Sequence, residues 1–339
     1  MITDKSFNQS PNTRMTPLRA TAQVIGFACG IALLVWCVRL ALREENRPYL
    51  ERMLNASPLE IAMMLGLCVA SLIVNGFLFV IVIRPLYRVH APSMFATNAL
   101  ATFLNNFPFK VSILSRFVIH ARRDRLPLST VFAWLAATAG VIFAVLIPPI
   151  VATLMSPNVD AKWWALTCAG LVFCVVSLIL ISKWLLRVFR GAGDGASVFV
   201  NLLARVQEAP AMTSVPTSVV GGVCMRVIDT VLIALRFSLA AKMAGVETSP
   251  ETIVLASSLY FLIGAITPAG ALGARDGGTF GILKFLPAAG VITSEFAVVI
   301  LTVTAAEFAV NLCAAAVSAL YLRFSDSKPA VASTQATLH

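Results

Sequence analysis

Charge is what this sequence has least of. Only 12% of its 339 residues are Asp, Glu, Lys or Arg, about half the share of a soluble domain. The mean hydropathy is +0.86, which argues against a soluble fold. Strict apolar–polar alternation is also missing, which argues against a membrane β-barrel. No Gly-Lys-Ser/Thr follows a glycine-rich loop, so Walker-type ATP hydrolysis is not expected. The passage RGAGDGAS at 190–197 reads as a linker. Histidine is scarce: His90, His120 and His339 form no ligand spacing. The seven cysteines are odd in number, all lie in apolar runs and include no Cys-x-x-Cys. They read as small packing residues. No metal or other cofactor is called for, and no nucleophile–base pattern points to an enzyme.

What the chain does have is continuous apolar runs of the roughly 20 residues needed to cross a bilayer as a helix. The expected fold is an all-α polytopic membrane protein. It would have about 7–8 transmembrane helices and two broken or re-entrant segments arranged as a weak internal repeat. Spans are expected near 20–42, 59–84, 128–154, 161–183, 218–242, 250–267 and 294–322, the third broken late by Pro148-Pro149. A mixed-charge loop occupies 43–58, and 196–208 reads as an amphipathic helix. Residues 1–19 and 323–339 are polar tails with disorder as their default. Residues 20–322 form the membrane domain, with repeat halves of about 59–183 and 218–322 flanking a cytoplasmic loop at 184–217.

The net charge is +10. The basic residues sit in short loops beside apolar runs, so they point to topology and anionic lipid rather than nucleic acid. The passages 84–125, with seven Lys and Arg, and 184–217, with three, are expected in the cytoplasm, as is the N-terminus, in a multi-pass protein of the inner membrane. Seven simple crossings would put Arg323 and Lys328 outside, against the rule. The side of the C-terminus stays open.

Two passages interrupt the apolar runs in a similar way: FLNNFPFKVSILSRFV around Pro108 and LIGAITPAGALGARDGG around Pro268, 160 residues apart. Proline ends a helix and glycine lets the backbone turn. Matched breaks in two halves are a sequence pointer to a transporter site. Two ordinary proline-containing loops are the alternative.

Charges also appear inside spans, where each costs about 2.5–3.5 kcal/mol unless buried and paired. Arg226 and Asp229 are three apart and share a helix face with Arg236. They are either a polar lining or a structural ion pair. In the last span Thr304, Glu307 and Asn311 recur at helical spacing. Glu307 has no basic neighbour on its own helix. Its partner comes from elsewhere, or it is protonated and a candidate for proton handling. Arg39 and Asn75 are weaker candidates of the same kind.

With Pro268, Gly270, Gly273, Arg275 and Asp276 in place, the chain resembles the transmembrane region of lysylphosphatidylglycerol synthases and related stand-alone flippase-like membrane proteins. That family carries Pro-x-Gly-x-x-Gly-x-Arg-Glu, and here Asp replaces the Glu. The family's earlier Pro-x-Arg-x-Gly-Glu, followed by a further Arg, corresponds to Pro108, Lys110, Ser112, Ile113 and Arg116, with the Gly and Glu replaced. Its Glu-Arg-x-x-Asp signature is absent from the third span; an Arg-x-x-Asp stands later, at Arg226 and Asp229. The resemblance implies movement of a phospholipid or other envelope lipid between leaflets, commonly an aminoacylated or otherwise modified one. The aminoacyl-transfer domain of the full-length synthases is missing. On this reading Lys110, Arg116 and Arg275 engage lipid phosphate, Asp276 holds Arg275, and backbone N–H groups near Gly270 and Gly273 add donors. Two alternatives stay open: an accessory subunit for a lipid-modifying or glycosyl-transfer enzyme, and a membrane-embedded headgroup enzyme.

Overall fold

A computed structural model describes residues 17–107, 110–156, 158–191, 207–267, 271–285, 294–325 and 331–332. The fold is helical. In chain order the helices are α1 (Pro17–Ala41), α2 (Arg47–Leu54), α3 (Pro58–Ile83), α4 (Ala91–Leu104), α5 (Val111–Arg123), α6 (Leu128–Met155), α7 (Ala161–Gly191), α8 (Glu208–Thr213), α9 (Pro216–Ala244), α10 (Pro250–Ile266), α11 (Ala274–Phe285) and α12 (Phe296–Phe324). Among the described residues α1, α3, α6, α7, α9 and α12 are long and apolar enough to cross a membrane, and α10 is a shorter apolar helix.

Local chemistry sets the ends of these helices. A capping box opens α3: the Glu60 N–H donates to Ser57 Oγ at 3.3 Å and the Ser57 N–H to Glu60 Oε2 at 3.1 Å. Proline occupies the first turn of α3, α9 and α10, where its missing N–H costs nothing. Gly245, at φ +71°, closes α9, with Val246 N–H donating to the Ala241 carbonyl at 2.9 Å.

Several expectations need correction. Pro148 and Pro149 do not break the third span; α6 runs through them to Met155. Neighbouring helices accommodate proline in such spans, and here the α7 backbone at Gly170 lies so close that a Cβ there would sit 3.1 Å from Pro148. The passage 43–58 holds a short 3-10 turn and α2 instead of a plain loop. In the C-terminal tail Val331–Ala332 pairs antiparallel with Tyr87–Arg88, so backbone hydrogen bonds order that stretch. The amphipathic helix expected at 196–208 falls mostly outside the described residues, as do residues 1–16 of the N-terminal tail and the glycine-rich stretch from 192 on. All seven cysteines are free.

The central pair is α3 with α9, and it is antiparallel. Ser218 Oγ donates to the Ile81 carbonyl at 3.0 Å, Ser71 hydrogen-bonds Asp229 near mid-helix, and Lys242 lies 3.6 Å from Glu60 at the other end. One face of α9 buries Val219, Gly222, Val223, Arg226, Asp229, Ile233, Arg236 and Phe237. The opposite face exposes Val220, Ile228, Val231 and Leu235, as a lipid-facing surface should.

Two helical hairpins complete the core. In α4–α5, Arg116 meets Asn98 and Arg123 meets Ser93, so the chain doubles back. The hairpin also returns to its starting end: Arg123 Nη1 donates to the Leu322 carbonyl at 2.9 Å, while Tyr87–Arg88 pairs with the tail just past α12. In α10–α11, Gly264 lies against Arg275 and Gly278 against Ile263. This hairpin starts and returns at the opposite end. Glu251 accepts from the Val159 N–H at 2.7 Å there, and Ser294, just before α12, hydrogen-bonds Glu45 at 3.1 Å.

Apolar clusters fill both ends of the bundle. One gathers Met94, Val131, Trp134, Met212 and Val219; the other gathers Phe237, Leu255, Phe280, Phe296 and Val299. The polar residues lie between them.

Candidate functional site

The tips of the two hairpins touch. The Ala271 N–H donates to the Asn105 carbonyl at 2.9 Å, and the Lys110 ammonium donates to the Thr267 carbonyl at 2.8 Å. Lys110 is left-handed, at φ 51°, a conformation that costs a non-glycine residue about 1 kcal/mol or more. The side chain fastens the two breaks together and does not line the cavity beside them. Pro108, Pro268 and Gly270 lie outside the described residues.

That cavity, of about 230 Å³, sits where α3, α9 and α12 pass the hairpin tips. Arg116, Asp229, Arg236, Arg275, Glu307 and Asn311 all line it, together with Asn75. Charges from opposite halves of the sequence therefore share one space. Asp229 lies near the middle of α9, Ser71 near the middle of α3 and Glu307 within the central part of α12, so the cavity lies at mid-length of the long helices.

Most of these charges are matched. Glu307 accepts from Arg236 and, at 2.7 Å, from Arg275; Tyr260 donates to its second oxygen at 3.2 Å. The partners it lacks on its own helix come from α9 and α11. Arg275 also stacks 4.0 Å over the Tyr260 ring. Arg226 donates to Asp229 Oδ2 at 2.5 Å, and Ser71 donates to Oδ1. Arg226 additionally lies 3.4 Å over the Phe261 ring. Both Arg226 and Asp229 are buried; Asp229 lines the cavity while Arg226 backs it.

Asp276 stands behind the wall. It does not bond Arg275; instead it accepts from the Gly273 N–H at 3.0 Å and from Thr304. Gly273 explains the glycine at this turn. Its φ is +76°, and a Cβ there would lie 1.9 Å from the Gly30 carbonyl oxygen. Only glycine lets α1 approach the break.

Arg116 differs from the other arginines. It is 7% exposed, stacks 4.1 Å over the Phe79 ring and donates through Nη2 to Asn98 Oδ1 at 2.7 Å. Its Nη1 is buried with no hydrogen-bond partner, and no described carboxylate lies within ion-pair distance.

Sequence reasoning missed Tyr260, Ser71, Asn98 and Asn105. The adjacent Asn105-Asn106 before Pro108 is the one signal that could have flagged the first break as polar. Compared with protein families, curated proteins and solved structures, the chain matches none.

Proposed function

We propose that the protein is a lipid translocase, an integral membrane protein that carries a phospholipid headgroup between leaflets through this cavity while the acyl tails stay in the bilayer. The observation that carries the reading is the convergence of both hairpin tips and the intramembrane charges on one cavity at mid-length of the long helices. Irregular backbone is tolerated at membrane depth only where protein or water satisfies it. Here the described residues that flank the two breaks hydrogen-bond to each other.

The packing supports an internal repeat with inverted topology. In each half a long helix is followed by a broken hairpin and a second long helix: α3, α4–α5, α6 and α9, α10–α11, α12. The pairings exchange consistently. Hairpin helix α4 packs on α12 and its counterpart α10 on α6, while α3 and α9 pack on each other antiparallel. Inverted repeats with broken helices meeting at the midplane are the architecture of alternating-access transporters. With both hairpins re-entrant, six crossings return the C-terminus to the side of the N-terminus. Arg323 then joins Arg84, Arg88 and Arg122 on the cytoplasmic side of an inner membrane, as the positive-inside rule requires. The resemblance of the late motif to the lysylphosphatidylglycerol synthase transmembrane region points the same way.

The test is leaflet exchange in liposomes. Purified protein is expected to make an inner-leaflet fluorescent phospholipid accessible to an external quencher faster than in protein-free vesicles. No acceleration across a panel of anionic, zwitterionic and aminoacylated phospholipids overturns the proposal.

A further inference from the structure

The charge pattern of the cavity selects among lipid headgroups. Four guanidiniums, those of Arg116, Arg226, Arg236 and Arg275, line or back it, against the carboxylates of Asp229, Asp276 and Glu307. Every carboxylate is engaged. Glu307 holds two arginines and Tyr260, Asp229 holds Arg226 and Ser71, and Asp276 holds Gly273 and Thr304. Among the described residues the one cavity arginine without a carboxylate partner is Arg116, which lines the cavity and whose Nη1 is buried with no hydrogen-bond partner. The Phe79 ring beneath and Asn98 on Nη2 hold the guanidinium so that this free edge keeps a fixed direction. Lys110, the other cation at the break, is turned away to the Thr267 carbonyl.

We infer that the cavity is a site for a phosphodiester lipid monoanion whose headgroup carries hydroxyls but no amine, with Arg116 as the phosphate-binding residue; the inference rests on the translocation reading for its biological use. The physical reason is compensation in a low-dielectric space. A buried charge is costly until paired. One negative charge matches the one unpaired guanidinium, through a charge-assisted hydrogen bond from Nη1. A phosphomonoester dianion would overshoot it. A zwitterionic or aminoacylated headgroup would bring an ammonium into a space where each carboxylate already has its partners. Asn75, Asn105, Ser112 and Asn311 line the same cavity and suit hydroxyl groups, since amides and hydroxyls both donate and accept.

The experiment measures lipid binding to the purified full-length protein in detergent, by native mass spectrometry and by thermal shift. The probes are phosphatidylglycerol, phosphatidylethanolamine and, at pH 8, phosphatidic acid. Phosphatidylglycerol is expected to bind about tenfold or more tightly than either, because the ammonium of one and the second phosphate charge of the other stay unpaired in the cavity. Arg116→Gln is expected to erase that preference. Ser112→Asp, which puts a counter-ion on the helix that carries Arg116, is expected to erase it too, so the test survives if one variant fails to fold. Equal or better binding of phosphatidylethanolamine or phosphatidic acid, no binding of any of the three, or a preference kept in a folded variant overturns the inference. Leaflet exchange separates the two proposals. Selective binding without exchange removes translocation and leaves the site. Exchange of phosphatidylethanolamine as fast as phosphatidylglycerol removes the assigned specificity and leaves translocation.

Discussion

Glu307 accepts from Arg275 across 2.7 Å, which ties the last long helix to the first turn after the second break. Arg236 reaches the same carboxylate from α9 and Tyr260 from α10, so a single acid joins four helices. Removing it leaves two buried guanidiniums without a counter-ion. Glu307→Gln is expected to destabilise the protein by about 3 kcal/mol or more, read from unfolding in detergent. The double variant Glu307→Gln/Arg275→Gln should lose clearly less than the sum of the two single losses, because the groups act as one network. Simple additivity would mean that the pair contributes nothing as a pair.

Arg116 should behave in the opposite way. No described carboxylate pairs with it, so its removal orphans none and takes away a buried charge that no described acid compensates. Arg116→Gln keeps a donor for Asn98 and removes that charge. The variant is expected to match or exceed the wild-type melting temperature in lipid-free detergent while losing activity, a trade of function against stability. A drop as large as that of Glu307→Gln would show that Arg116 is structural.

The intramembrane charges are legible in the sequence because the bilayer makes them expensive. Arg226, Asp229, Arg236 and Glu307 stand out against apolar neighbours, and all four occur on or behind the cavity wall. Partnership is less legible. Nothing on the last helix says that Glu307 meets Arg275, since the contact joins segments far apart in sequence. Tyr260 and Ser71 escape notice because a lone hydroxyl in a span is cheap and common. The return of α10–α11 to its starting end is likewise hidden. Residues 250–266 have the hydropathy of a span, and only the contacts at the hairpin's two ends, Glu251 with Val159 and Ser294 with Glu45, reveal its course.

Gly273 offers a sharp steric test. Alanine there would have to adopt φ +76° and place its Cβ 1.9 Å from the Gly30 carbonyl oxygen. Backbone strain and overpacking together are expected to cost about 2–4 kcal/mol. At Gly281 a Cβ meets nothing within 4 Å, so Gly281→Ala should be close to neutral. Size-exclusion profiles and melting curves of the two variants check this; equal behaviour would refute the close approach of α1 to the break.

His120 predicts a pH dependence of stability. It is fully buried, with Nδ1 2.5 Å from Asp124 and the Trp134 ring beside it. Desolvation pushes its imidazole below the usual histidine range, and the nearby Arg116 adds to that, against the opposing pull of Asp124. The unfolded chain therefore binds this proton more readily than the folded one. Stability from this residue is fully present above the unfolded value of about 6.5 and declines as pH falls below it. The difference in melting temperature between wild type and His120→Gln should narrow or reverse between about pH 7 and pH 5. A constant difference would show that His120 keeps the same protonation in both states.

The course of α10–α11 decides the topology, and it can be tested by labelling. Asn55, beyond α2, and Ser294, before α12, belong to one end of the bundle, since Ser294 hydrogen-bonds Glu45 and Asn46 there. Arg88 and Arg323 belong to the other, where the strand pair and the Arg123–Leu322 bond bring α12's end beside the first hairpin. In a cysteine-free background, Asn55→Cys and Ser294→Cys should react with a membrane-impermeant thiol reagent from the same side. Arg88→Cys and Arg323→Cys should react only from the opposite side. If α10 crossed the bilayer completely and α11 did not return, position 294 would change sides and label with Arg88. The two breaks would then no longer face each other at mid-membrane, and the inverted repeat would fall with them.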